Sequence, residues 1–176
     1  MLTGIVIITP QNVPGSDVPR ALVRSLSALV SAAVEGVLRD MIVASALPES
    51  ADLSRVADHA GCDVVTGADP AAALLAALGK ARGANLFVLR PGRAPEEGYI
   101  DELAELVSTT NPAALLRERA SGFATRLFPA FCPVAGVVGT RADLQRAAES
   151  GAAEPASLAR HLRAPLTMRH RARVLD

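Results

Sequence analysis

The chain has 176 residues, enough for one domain with a full core and too few for two of ordinary size. Half of it is hydrophobic while only 3% is aromatic and tryptophan is absent, so the core has to be built from Ala, Val, Leu and Ile, as in layered α/β packing. Its 18 basic residues balance 18 acidic ones, which argues against a general nucleic-acid binder, and Cys62 and Cys132 have no partner at metal-ligand or disulfide-framework spacing.

The opening LTGIVII reads as a strand and carries neither a basic leader nor an apolar stretch long enough for export or membrane crossing, so a cytoplasmic location is expected. Ile5 to Ile8 ends in turn chemistry, Thr9-Pro10-Gln11-Asn12-Val13-Pro14-Gly15. Ser16 or Asp17 then caps a helix whose apolar positions are Leu22, Leu26, Val30 and Val34. Met41 to Ala44 is a second strand, followed by a helix from about Ala51 to Ala60 that Gly61 ends, and Asp63 to Thr66 is a third, shorter strand. Asp69-Pro70 starts a helix running to about Arg82, with Gly83 as its stop.

Leu86 to Leu89 reads as a buried parallel strand, and Pro95 with Glu96 and Glu97 opens a helix carrying Ile100, Leu103 and Leu106. After Asn111 and Pro112 the rhythm changes. Ala113 to Leu116 and Val134 to Val138 read as further strands around an irregular segment, Phe123 to Phe131. Thr140 caps a helix to about Ser150, Ala156 to Leu162 forms one more, and Leu166 to Val174 reads as an edge strand. Strands alternating with helices at this spacing predict a single three-layer α/β domain with a mostly parallel sheet.

Residues just beyond the carboxyl end of a parallel strand face a ligand crevice, and here they are Arg90, Pro91, Gly92 and Arg93. Two guanidinium groups at that place suit a diphosphate, which they bind through paired N–H donors. In a chain with seventeen arginines and one lysine, they also read as surface residues of a Pro-Gly turn.

The order of elements and several residues resemble a family 2 glycosyltransferase. VIITPQN at residues 6–12 is similar to that family's first strand, with Asn12 matching and Thr9 and Pro10 in exchanged order. AGCDVV, an alanine-rich helix and KARGANLFVLRPG resemble the family block that ends in Asp-x-Asp. The resemblance implies a nucleotide-diphospho-sugar transferase fold and transfer of a sugar from a nucleotide sugar to an acceptor hydroxyl, with envelope polysaccharide synthesis as one setting. It implies a nucleotide-binding half at residues 1–110 and an acceptor-side half at 111–176. Carried over position by position, the nucleotide-sugar site is Thr9, Pro10, Asn12, Ser45, Arg90 and Gly92, to which the paired guanidiniums at the strand end add Arg93, and the catalytic base is Glu154.

Here the chain departs from the family. Ser45 and Ala46 stand where the first acids would be, and Arg90 and Gly92 replace the two aspartates of the metal motif. No cofactor is expected, and a divalent metal lacks its carboxylates. The expected partner is a nucleotide sugar or nucleoside diphosphate. Glu154 carries the chemistry of a general base, and equally that of an acidic residue at a helix start. The tail, with Arg160, Arg163, Arg169, Arg171 and Arg173, suits either an edge strand or peripheral contact with an anionic membrane at its inner face. Three functions compete: a glycosyltransferase-like enzyme, a non-catalytic descendant of the fold that binds or assembles, and a nucleotidyltransferase. The last lacks a glycine-rich loop, for which TPQNVPGSD is a poor substitute.

Overall fold

The structure is a computed structural model that describes residues 1–12, 17–48, 50–109 and 112–174. Strands β1 (Leu2–Ile8), β2 (Leu38–Ser45), β3 (Asp63–Thr66), β4 (Asn85–Leu89), β5 (Arg93–Pro95), β6 (Ala114–Glu118), β7 (Val134–Thr140) and β8 (Leu166–Val174) form one sheet. Its order is β3-β2-β1-β4-β7-β6-β8-β5. β7 runs antiparallel to β4 and β6, β5 runs antiparallel to β8, and the other pairings are parallel.

Helices α1 (Val18–Val34), α2 (Ala51–His59) and α4 (Tyr99–Ser108) cover one face, where they meet Val6, Ile8, Val43, Phe87 and Leu89. Helices α3 (Pro70–Lys80), α6 (Arg141–Glu149) and α7 (Pro155–Leu158) cover the other, against Ile5, Ile7, Ile42, Ala44 and Val88. Alternate residues of one apolar run thus enter opposite cores. That is why β1 is buried at all seven positions and why the run shows no polar alternation. A short helix, α5 (Phe123–Leu127), and a 3-10 turn, Pro129–Phe131, fill the segment between β6 and β7.

The capping signals at Asp69 and Thr140 act as their chemistry predicts: each side chain accepts from the amide three residues on. Asp17 stands at the start of α1 without a side-chain capping bond, and Ser16 and the Val13-Pro14-Gly15 turn lie outside the described residues.

Three expectations are corrected. Gly83 does not stop α3, which ends at Lys80; a β-carbon at Gly83 would stand 2.8 Å from the Thr3 backbone nitrogen, so close approach to β1 requires the glycine. No helix opens at Pro95, because residues 93–95 form β5 and α4 starts at Tyr99 behind Gly98, which has φ +87°. The tail strand β8 is not the sheet's edge. It pairs with β6 and, over Ala172 to Val174, with β5.

This last pairing shapes the site. β5 follows β4 after only the Arg90-Pro91-Gly92 turn, yet it pairs at the far end of the sheet order. The sheet therefore curls, bringing its far end back over the carboxyl end of β4. The Ser25 hydroxyl pins the curl to α1, donating to the Arg93 carbonyl at 3.1 Å and accepting from its amide at 3.2 Å.

Candidate functional site

The chain runs from β1 outward to β2 and β3, then returns to place β4 on the other side of β1. The carboxyl ends of β1 and β4 therefore flank the point where the strand order reverses, the usual position of a ligand crevice in an open α/β sheet. A cluster of polar side chains gathers there.

Thr9 and Asn12 close the turn after β1. The Asn12 side-chain oxygen accepts from the Thr9 amide at 3.0 Å, and its amide nitrogen donates to the Ile7 carbonyl at 2.9 Å. Both residues then reach Glu154, which arrives 142 positions later at the start of α7. Asn12 Nδ2 donates to Glu154 Oε1 at 3.1 Å, and the Thr9 hydroxyl donates to the same oxygen. The other carboxylate oxygen, Oε2, lies 3.8 Å from Arg90 Nε.

Arg90 extends from the end of β4 and stands between two carboxylates. Its second neighbour is Glu118, the last residue of β6, whose Oε1 lies 3.8 Å from Arg90 Nη1 and accepts from Arg93 Nε at 2.7 Å. Arg93 is thus satisfied by a charge-assisted hydrogen bond, whereas Arg90 is not. Its Nε is buried and has no hydrogen-bond acceptor among the described residues. Since leaving a buried donor unpaired costs about 1–3 kcal/mol, an anionic group that reached this guanidinium would be favoured. The Arg90 side chain as a whole is 24% exposed.

Five of the residues inferred from sequence, Thr9, Asn12, Arg90, Arg93 and Glu154, therefore converge. Three do not. Ser45 is buried and folds back on its own loop, where its hydroxyl accepts from the Leu47 amide at 3.1 Å and donates to the Leu47 carbonyl at 3.2 Å. Gly92, at φ +72°, packs against α1, with its amide donating to the Ala21 carbonyl at 3.2 Å. Pro10 is exposed on the turn. Glu118 was missed, although the rule that singles out Arg90 applies to it equally: it ends a strand at the same edge of the sheet.

The ends of β2 and β4 present a hydroxyl and guanidinium groups, and among the described residues no group of three or more His, Cys, Asp or Glu is placed to hold a metal ion. Two carboxylates and two guanidiniums sum to zero charge. Among the described residues no helix is long and apolar enough to cross a membrane.

No protein-family model matches the chain, and no curated protein sequence does. Solved structures do match. A 4-diphosphocytidyl-2C-methyl-D-erythritol synthase superposes with TM-score 0.61 at 17% identity, covering 95% of this chain and 86% of that one. TarS of S. aureus, residues 1–349 in complex with UDP, gives TM-score 0.60 at 11% identity over 99% of this chain and 61% of its own. Glucosyl-3-phosphoglycerate synthase from Mycobacterium tuberculosis, in complex with Mn2+, UDP and glucosyl-3-phosphoglycerate, gives TM-score 0.53 at 15% identity over 81% and 58%. The chain spans about three fifths of the length of these last two. The shared fold is that of nucleotide-diphospho-sugar transferases, a single α/β domain with a mostly parallel, curled sheet.

Proposed function

We propose that the protein is a glycosyltransferase-like, metal-independent binder of nucleotide sugars, with Arg90 as its principal diphosphate contact. The observation that supports this most is the position and state of Arg90. It is a partly buried guanidinium at the strand-order reversal, between two carboxylates, with one N–H lacking an acceptor among the described residues. The solved structures that share the fold include two captured with UDP, which makes a nucleoside diphosphate the natural probe.

In this reading Arg90 and Arg93 hold the diphosphate. Glu154 accepts the proton of an acceptor hydroxyl, whose oxygen attacks the anomeric carbon as the bond from that carbon to the diphosphate breaks. Thr9 and Asn12 orient the Glu154 carboxylate through Oε1. Residues 1–110 supply the nucleotide-binding half. Residues 111–176 supply both glutamates and form the acceptor-side half.

The test is isothermal titration of UDP and the other nucleoside diphosphates, with manganese and with chelator. Binding is expected to be indifferent to chelator and weakened at least tenfold by Arg90→Ala, the loss of one charged hydrogen-bonding partner. Binding that vanished with chelator, or was untouched by the substitution, would overturn it.

A second reading, a non-catalytic descendant of the fold, is favoured by Ser45 folding back on Leu47 and by Glu118 occupying Arg93. Nucleotide binding without release of nucleoside diphosphate from any UDP-sugar, together with wild-type binding by Glu154→Gln, would select it.

A further inference from the structure

The segment between β6 and β7 displays apolar side chains that no other part of the described residues covers. Phe123, Leu127, Phe128 and Phe131 are 79%, 58%, 57% and 74% exposed, and they include three of the chain's four phenylalanines. Neither α5 nor the 3-10 turn after it buries a single residue. A protein so poor in aromatic residues that spends most of its phenylalanine on solvent has placed it for contact.

The segment is nonetheless well anchored. Arg117 Nη1 donates to the carbonyls of Ala130 and Cys132, both at 2.8 Å, and the Glu118 amide donates to the Pro133 carbonyl at 2.8 Å. Cys132 is buried beneath it. The rings of Phe128 and Phe131 meet edge to face with centroids 5.8 Å apart, so each holds the other in place. The aromatic groups are thus presented on a fixed platform.

Charge selects the partner. Residues 119–131 contain two charged side chains, Arg119 and Arg126, both exposed and both positive. Arg173, 62% exposed at the end of β8, joins them, since it and Arg119 share Glu96 at 3.6 and 3.8 Å. Across a two-fold axis a second copy would set these arginines against one another, so the patch is poorly suited to pair with itself. Exposed aromatic rings on a segment whose charged residues are all arginines match the headgroup region of an anionic bilayer, where the rings sit among the acyl boundaries and the guanidiniums meet lipid phosphates.

We propose that residues 119–131, together with Arg173, dock the protein on anionic membrane surfaces. This differs from a contact made by the basic tail as a whole: β8 extends along β6 from Ala114 to Glu118, so its arginines are spread along a strand instead of gathered on one patch. The docking segment continues directly from Glu118, which bounds the crevice holding Arg90 and Arg93. The docking is independent of nucleotide binding, and loss of either leaves the other in place.

Co-sedimentation of the full chain with vesicles of phosphatidylcholine, with or without phosphatidylglycerol, tests the proposal. The protein should pellet with the anionic vesicles and remain in solution with the neutral ones. Phe128→Ser/Phe131→Ser should reduce the bound fraction at least tenfold, as expected for removing two rings from an interface. Arg119→Glu/Arg126→Glu should reduce it further than that, at roughly fivefold per charge lost and again per charge reversed. All four positions are exposed, but Arg119 gives up its pairing with Glu96 and the two rings their mutual contact, so a melt establishes that each variant is folded before its binding is read. Arg126→Glu alone, which touches neither, should still lower the bound fraction about fivefold or more. Failure to pellet with anionic vesicles, equal binding to neutral ones, or binding unchanged in both variants would overturn the proposal. So would a concentration-dependent dimer that Phe128→Ser/Phe131→Ser abolishes while the parent ignores vesicles.

Discussion

Glu118→Gln should tighten the binding of UDP. In the folded protein the Glu118 carboxylate sits 2.7 Å from Arg93 Nε and 3.8 Å from Arg90 Nη1, where a bound diphosphate would place its own oxygens. A phosphate on those guanidiniums would stand roughly 6 Å from the carboxylate. At an effective dielectric of about 20 their repulsion is about 3 kcal/mol. Partial exposure and physiological salt cut this to about 1.5 kcal/mol, or roughly a tenfold gain in affinity when the charge is removed. Glutamine keeps an oxygen that can accept from Arg93, so the geometry survives, but the charge-assisted bond becomes ordinary. The loss of stability should be about 1–2 kcal/mol, lowering the melting temperature by roughly 4 °C. Titration calorimetry on a variant shown to be folded by its melt gives both numbers. Affinity that stays equal or falls would show that Glu118 does not compete with the ligand, and the account of this crevice as a guarded anion site would fail.

Three further outcomes follow from burial and charge. Tyr99 is the only tyrosine; burial first, and then the charge of Glu35 against a counteracting bond from Ser31, pushes its hydroxyl up to about 12. Ultraviolet titration should therefore show no phenolate near the ordinary value of 10.0, and a transition there would contradict the packing of α4 on α1. Burial raises the Glu102 carboxyl, but bonds from the Arg169 and His170 amides and from the His170 ring outweigh it and hold the group below its ordinary 4.5. The stability this gives is complete above that ordinary value and is lost as pH falls through the folded one. Glu102→Gln should thus cost about 1–2 kcal/mol in urea melts at neutral pH, a gap that narrows as pH falls below 4.5, and a gap that stays constant in acid would refute the linkage. Phe87→Ala, in the centre of the sheet with no exposed surface, should cost about 3–5 kcal/mol by the same melts; a cost under 1 kcal/mol would mean that the core collapses around the cavity.

The parallel half of the fold was legible because its physics is local. β1, β4 and the Met41–Ala44 part of β2 are apolar runs packed on both faces, bounded by turn residues and helices, and the sequence carries those signs in order. β5 was not legible, since Arg93-Ala94-Pro95 has no strand character of its own; it is a strand because the curl of the sheet brings Ala172 to Val174 alongside it. The helix start expected at Pro95 gave way to that tertiary pairing. At the site, the residues that converged were those argued from chemistry at a strand end or held by turn chemistry, Arg90, Arg93, Thr9 and Asn12, with Glu154 brought in by alignment. Ser45 was placed by alignment alone; Pro10 shares the turn of Thr9 and Asn12, and Gly92 the strand end of Arg90, but the local backbone turns all three elsewhere. Glu118 sits in a string, LLRERAS, where one glutamate among arginines reads as solvated surface, and its burial depends on two arginines that precede it by 25 and 28 positions.

The cluster itself is poorly explained by stability. Taking charged groups out of water costs several kcal/mol per ion, and excellent geometry is needed to recover it. Arg93 and Glu118 meet that standard, but Arg90 does not: both of its carboxylate neighbours stand at 3.8 Å, beyond hydrogen-bonding distance, and its buried Nε has no acceptor among the described residues. A well-packed apolar side chain at position 90 would carry no such penalty. The neighbouring β4 positions Leu86 to Leu89 are all filled by apolar side chains, so the capacity to do so is present in this sequence. An arginine left short of hydrogen bonds at the strand-order reversal is therefore best accounted for by a partner that completes it. Its charge and planar fork of donors, with the Arg93 guanidinium three positions on, are what the proposed diphosphate would meet there.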